Sequence, residues 1–310
     1  MGIVSIVEVN FVGDATIYSL NAANMREELH ESIIHTRAPE AGWSALGAYG
    51  INIRVAIPYL VEFIHQVTGI RVLRLYKGVD LIGLWLGMII FFLFLRNAFT
   101  AWESALACLY FAAILPLTFA FHSYHPYDRA SFVAWLLAVW SARSGRFWEF
   151  SAASVGAVLI KYDAIVLPAL YFLGNSTPRN WRKCLAQTCA IGTILLAIVI
   201  ALIVLIPGGI EPRRYEVRIS RNLEMLIGSG IFYAPTLAFG LPIALAILGY
   251  PMSDRFVRAS VWLAGLITVI LFVVTNFEEV RAEQMLFPLL APAALLGLRR
   301  ILGEPAVSEK

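Results

Sequence analysis

Long apolar runs separated by short polar clusters make up most of this chain, and a water-soluble fold has too little interior to hide them. The runs at 191–206 and 261–275 contain no charged residue. They are continuous rather than alternating, so they read as helices, the open form in which a lipid-exposed backbone satisfies its own hydrogen bonds. The composition agrees: 59% of residues are hydrophobic, 15% are charged and the mean hydropathy is +0.74, against roughly 45–50% apolar and about 25% charged in soluble domains. The expected fold class is all-α, a polytopic helical membrane bundle. About nine hydrophobic segments are expected, near 79–95, 101–121, 129–142, 148–160, 163–173, 184–206, 229–249, 259–275 and 283–298. They make one integral membrane domain over 1–310: an outer loop at 14–78, the bundle at 79–300 and a cytoplasmic tail at 301–310.

Residues 1–13 are apolar apart from Glu8 and Asn10. They fall short of the about 20 residues a span needs, and they lack the basic start of a signal peptide. They read either as the stub of a first span or, preferably, as a start inside a longer natural chain. Residues 14–50 are polar and mixed. Residues 51–67 place apolar groups at helical spacing but carry Arg54, Glu62 and His65, the pattern of an amphipathic helix lying in the membrane interface.

Three polar clusters interrupt the oil: His-Ser-Tyr-His-Pro-Tyr-Asp at 122–128, Lys161-Tyr162-Asp163, and Asn-Phe-Glu-Glu-Val-Arg at 276–281. A charge at membrane depth costs several kcal/mol unless it is paired or faces a wet cavity, so the clusters are expected to rim a site. As one helix, 148–173 would bury Lys161 and Asp163 midway. As a hairpin of two short helices it brings them to a surface. The excess of arginine in cytoplasmic loops favours the hairpin, which gathers Arg96, Arg143, Arg146, Arg179, Arg182, Lys183, Arg255, Arg258, Arg299 and Arg300 on one side. The three clusters and all five histidines then share the other side. The loop at 207–228 brings Arg213, Arg214, Arg218 and Arg221 there too, diluted by Glu211, Glu216 and Glu224, which suits a local amphipathic helix with charge pairs four residues apart.

The net charge of +3 reads as topological, with no nucleic-acid partner. Cys108, Cys184 and Cys189 lack metal-ligand spacing and read as small buried hydrophobes. No Gly-rich phosphate loop ending in Lys-Ser/Thr and no Gly-x-Ser-x-Gly elbow occurs, which removes support for ATP-driven transport by this chain alone and for serine-hydrolase chemistry.

The stretches GDATIY at 13–18, PYDRASFVAWLLAVW at 126–140, VGAVLIKYDAIVLPALYFL at 155–173 and FEEVRAEQMLFPLLAPAALL at 277–296 together resemble the GT-C class of membrane glycosyltransferases. That class includes the oligosaccharyltransferases, the protein O-mannosyltransferases and aminoarabinose transferase. The resemblance implies transfer of a sugar from a polyprenyl-phosphate donor to an acceptor at the outer face of a bacterial inner membrane. The partners are then that donor and membrane lipids, and no cofactor is certain, although some members use a divalent cation. Asp14 falls at the acidic position that opens the first outer loop, and 51–67 matches the amphipathic helix of that loop.

Such chemistry needs a base or positioning carboxylate for the acceptor and cations to offset charge on the departing phosphate. Asp14 is the candidate base, although Asp before Ala-Thr-Ile-Tyr also caps a helix well. Asp128 is the candidate second acid, and equally a helix-start acid favoured by the dipole. Lys161 is the candidate grip for the carrier phosphate, with a salt bridge to Asp163 or Glu278 as the plainer alternative. Tyr162 lies beside it. Arg281, held by Glu278 or Glu279, and Arg54 are further candidate contacts for the lipid phosphate, as is Arg213, for which a solvated charge run is the preferred reading. His122 and His125, three apart beside Asp128, are weak metal candidates. A transporter or lipid-carrier flippase, or a non-catalytic relative with the same fold, would use the same polar residues differently. The first predicts an inverted repeat, and the Lys161 hairpin has no counterpart in the second half.

Overall fold

A computed structural model describes residues 55–115, 127–205, 218–229, 234–274 and 284–304, and among these all regular structure is helical. In chain order the helices are α1 (Ala56–Thr68), α2 (Val72–Arg96), α3 (Ala101–Ile114), α4 (Asp128–Arg143), α5 (Phe147–Ile160), α6 (Leu167–Asn175), α7 (Trp181–Leu205), α8 (Ile219–Ser229), α9 (Ala234–Gly249), α10 (Arg255–Val274) and α11 (Leu286–Leu302). Short 3-10 turns at Tyr162–Val166 and Tyr250–Met252 precede α6 and α10.

Among the described residues, four helices are long and apolar enough to cross a membrane: Val72–Arg96, Trp181–Leu205, Pro235–Met252 and Arg255–Val273. Helices α3 and α5 are apolar but have only 14 residues each. The other expected segments differ from spans in how they are covered. Helix α11 is buried on every side from Leu286 to Gly297, as befits a helix apolar all round at the centre of a bundle. It packs chiefly against α9 and α10, and α4 is a second inner helix, with Trp135, Leu136, Ala138 and Val139 wholly enclosed. The long outer helices carry many of the exposed apolar residues, for example Ile82 and Ile89 of α2 or Ile200 and Val204 of α7.

Two helices start elsewhere than the apolar runs suggest. Helix α2 begins at Val72, not near 79, and takes in Arg74, Lys77 and Asp80. Long straight charged side chains are good helix formers, and Tyr76 anchors this first part against Ile57, Val61 and Tyr127. Helix α1 confirms a helix within 51–67, shifted to 56–68.

The bundle has two ends of opposite character. The chain reverses after α4, so that α5 runs back along it. Lys161 at the end of α5 thus meets Asp128 at the start of α4. The chain reverses again there: Phe150 of α5 stacks on Tyr171 of α6 with ring centres 4.9 Å apart, and Asn175 donates to Ala142 O at 2.9 Å. The break expected at Lys161 is therefore a true hairpin. Pro168 in the first turn of α6, with no N–H to give, suits a helix that begins afresh there.

Arginines collect at the far end. Arg143 pairs with Asp254 at 3.3 Å, Arg255 bonds Leu173 O and Ser176, and Arg299 grips Glu103. Gly249 of α9 and Gly297 of α11 let these two backbones touch there. A Cβ on either would collide with a carbonyl oxygen of the other helix, Ala293 O or Leu245 O respectively.

Candidate functional site

At the end opposite the arginines, Lys161 is 8% exposed. Helix α5 stops at this residue, whose φ of −155° and ψ of 114° are extended backbone. Its N–H still bonds Ala157 O at 2.7 Å, and its C=O receives Ala164 N–H at 3.2 Å to open the 3-10 turn. The break lets side chains from both arms of the hairpin face one point. Lys161 Nζ lies 3.2 Å from Asp163 Oδ2 and 3.9 Å from Asp128 Oδ1. The salt bridge that the sequence offers as the plainer role of Lys161 is thus made, with Asp163. The longer approach to Asp128 is beyond hydrogen-bond distance.

Next to Asp128, Arg129 is 6% exposed and donates to Gln284 Oε1 at 2.7 Å, tying α4 to the turn that starts α11. Asp128, Ser131, Phe132, Trp135, Lys161, Gln284 and Met285 line a small recess, with room for roughly one water molecule. Two buried polar atoms beside it have no hydrogen-bond partner among the described residues: Trp135 Nε1 and Asp163 Oδ1. An unmet buried donor or acceptor costs about 1–3 kcal/mol, so their coincidence at one charged cluster is the strongest departure from a satisfied interior. Ser154 Oγ and Thr188 Oγ1 are the other two such atoms.

Of the residues singled out in the sequence, the structure brings Asp128 and Lys161 together and places half-buried Tyr162 directly after Lys161. Asp14, Arg54, His122, His125, Arg213, Glu278 and Arg281 lie outside the described residues. Among the described helices, α4 and α11 start at the Lys161 end and α10 finishes there. Among the described residues no three His, Cys, Asp or Glu side chains come close enough to hold a metal.

Sequence reasoning overlooked Arg129, Ser131, Trp135 and Gln284. Ser131 and Trp135 stand three and seven residues after Asp128, the spacing of one helix face. That signal was present, but an apolar run containing a serine and a tryptophan looks the same whichever neighbour it faces. No family model, curated protein or solved structure matches the chain.

Proposed function

We propose that the chain is a membrane glycosyltransferase that moves a sugar from a polyprenyl-phosphate carrier to an acceptor at the end of the bundle where Lys161 lies. The observation that carries a chemical role for this end is buried Lys161 at a broken helix, between half-buried Asp128 and Asp163, with Asp163 Oδ1 and nearby Trp135 Nε1 lacking hydrogen-bond partners among the described residues. Ionisable groups within apolar segments are expensive and are kept for function. The choice of glycosyl transfer rests on the resemblance of 13–18, 126–140, 155–173 and 277–296 to the GT-C class.

In this reading the acceptor hydroxyl attacks the anomeric carbon, the bond to the phosphate oxygen breaks, and polyprenyl phosphate leaves with the charge. Asp14 takes the hydroxyl proton or positions the hydroxyl, with Asp128 as its partner. Lys161 offsets the charge on the leaving phosphate, together with Arg281, Arg54 and Arg213, and a phosphate there replaces Asp163 as the partner of Lys161. The active face is the outer face of a bacterial inner membrane. Purified protein in proteoliposomes with polyprenyl-phosphate hexose and pentose donors and a bacterial envelope extract supplying acceptor hydroxyls should release polyprenyl phosphate as the sugar moves to the acceptor, and Asp14→Asn should stop the release while the protein stays folded. Undiminished release from Asp14→Asn removes that residue from the mechanism.

One observation favours a second reading. The recess beside Lys161 has room for roughly a water molecule, not a sugar, as suits a proton or ion path through a transporter. Flux of a polyprenyl-phosphate sugar or a proton across liposomes, without release of polyprenyl phosphate, would select it.

A further inference from the structure

Helix α8 is short, strongly amphipathic and joined to the bundle along one narrow flank. Asn222 is 1% exposed and donates through Nδ2 to Phe272 O at 2.6 Å, and Arg218 N–H reaches Val273 O at 2.9 Å. Phe272 and Val273 belong to the last turn of α10, whose carbonyls have no partner within their own helix. Helix α8 therefore closes the end of a candidate span, where an unmet carbonyl facing lipid would be costly.

The rest of α8 divides into two arcs. At 100° per residue, Ile219, Leu223, Leu226 and Ile227 fall within an arc of about 100°, while Ser220, Arg221, Glu224 and Gly228 fill about 100° on the other side. Asn222 and Met225 lie between the arcs, on the flank that meets α10. The apolar arc is not turned into the protein: Leu223 is 43% exposed and Ile227 80%. Helix α10, to which α8 is joined, also has exposed apolar residues at Leu266, Val269 and Ile270.

We infer that α8 lies in the plane of the membrane surface at the Lys161 end, with lipid acyl chains against its apolar arc and headgroups and water against Arg221 and Glu224. A helix held by one flank, with apolar and polar arcs on opposite sides of that flank, fits a lipid–water boundary. Helix α1 repeats the pattern at the same end. It buries Ile57 and Val61 against Tyr76 and Tyr127 and leaves Tyr59, Leu60, Phe63 and Val67 exposed. Together the two helices mark where the bilayer surface crosses the bundle, whatever chemistry takes place there.

Spin labels on single cysteines test this in lipid nanodiscs of phosphatidylcholine and phosphatidylglycerol. The background would be Cys189→Ser, with buried Cys108 and Cys184 retained. Labels at Leu223→Cys and Ile227→Cys should meet oxygen, which concentrates in lipid, more often than a water-soluble nickel chelate. Labels at Ser220→Cys and Glu224→Cys should show the reverse preference. If the nickel chelate reaches 223 and 227 as readily as 220 and 224, the arc faces water and the inference is overturned. If both reagents are excluded from 223 and 227, protein covers the arc, a second copy included, and the inference is equally overturned. Asn222→Ala should raise the mobility of the label at 227, and unchanged mobility would remove Asn222 from the attachment.

Discussion

The two ends of the bundle treat buried charge in opposite ways. At the arginine end every buried charge is answered. Glu103 receives two bonds from Arg299, and its carboxylate also takes the N–H and hydroxyl of Thr100 in a capping box that starts α3. Phe99 lies under the Arg299 guanidinium at 5.2 Å, and Arg96 donates to Phe99 O at 2.6 Å. At the Lys161 end Lys161 is as buried as Glu103, yet among the described residues two buried polar atoms, Trp135 Nε1 and Asp163 Oδ1, have no hydrogen-bond partner. A satisfied network fixes a fold; a partly satisfied one sacrifices stability, which natural chains tolerate chiefly at working sites.

Four substitutions would break or sharpen that contrast. The largest effect belongs to Arg299→Ala, which leaves buried Glu103 without its cation and with only the two Thr100 donors. Removing one partner of such a pair costs about 3–5 kcal/mol, so thermal unfolding in detergent should show the greatest loss here. Gly297→Ala comes next. Its new methyl meets the backbone oxygen of Leu245, a part of the chain that cannot rotate away, and overpacking of this kind costs about 1–3 kcal/mol. An unchanged melting temperature would show that α9 and α11 do not touch there.

Asp163→Asn should cost less, about 1 kcal/mol or under. One carboxylate oxygen has no partner to lose, and the side chain is 30% exposed, where ion pairs are worth little. A loss as large as that of Arg299→Ala would mean that the two ends are built alike. Trp135→Phe is the smallest and the most diagnostic. It deletes an N–H with no partner but leaves a gap where the largest fully buried side chain stood, so the two effects should offset to within about 1 kcal/mol. A loss of about 3 kcal/mol or more, beyond what the gap explains, would count against an unbonded Nε1.

Much of this layout could be read from the residues. The arginines at 96, 143, 146, 255, 299 and 300 favoured the hairpin at Lys161, because only a double reversal puts them together. The membrane class followed from uncharged runs such as 191–206. Hydropathy could not separate the helices that face lipid from those that face protein. Helix α11 is as oily as a span, yet it is enclosed by its neighbours, and in a bundle both surroundings select apolar side chains. The Lys161–Asp163 pair was offered by nearness in sequence. The orphaned Trp135 N–H could not be, since a missing partner is a fact about every element around it.

The most direct test compares matched carboxylates at the two ends in one assay. Asp128→Asn and Asp254→Asn would be reconstituted in proteoliposomes with polyprenyl-phosphate hexose and pentose donors and a bacterial envelope extract supplying acceptor hydroxyls, and polyprenyl phosphate release measured on equal amounts of folded protein. Release should fall roughly 100-fold or more for Asp128→Asn, the scale on which a positioned acid or base acts, and stay within about two-fold for Asp254→Asn, whose carboxylate only holds Arg143 and the start of α10. Equal release from both variants would contradict the assignment of the working site to the Lys161 end.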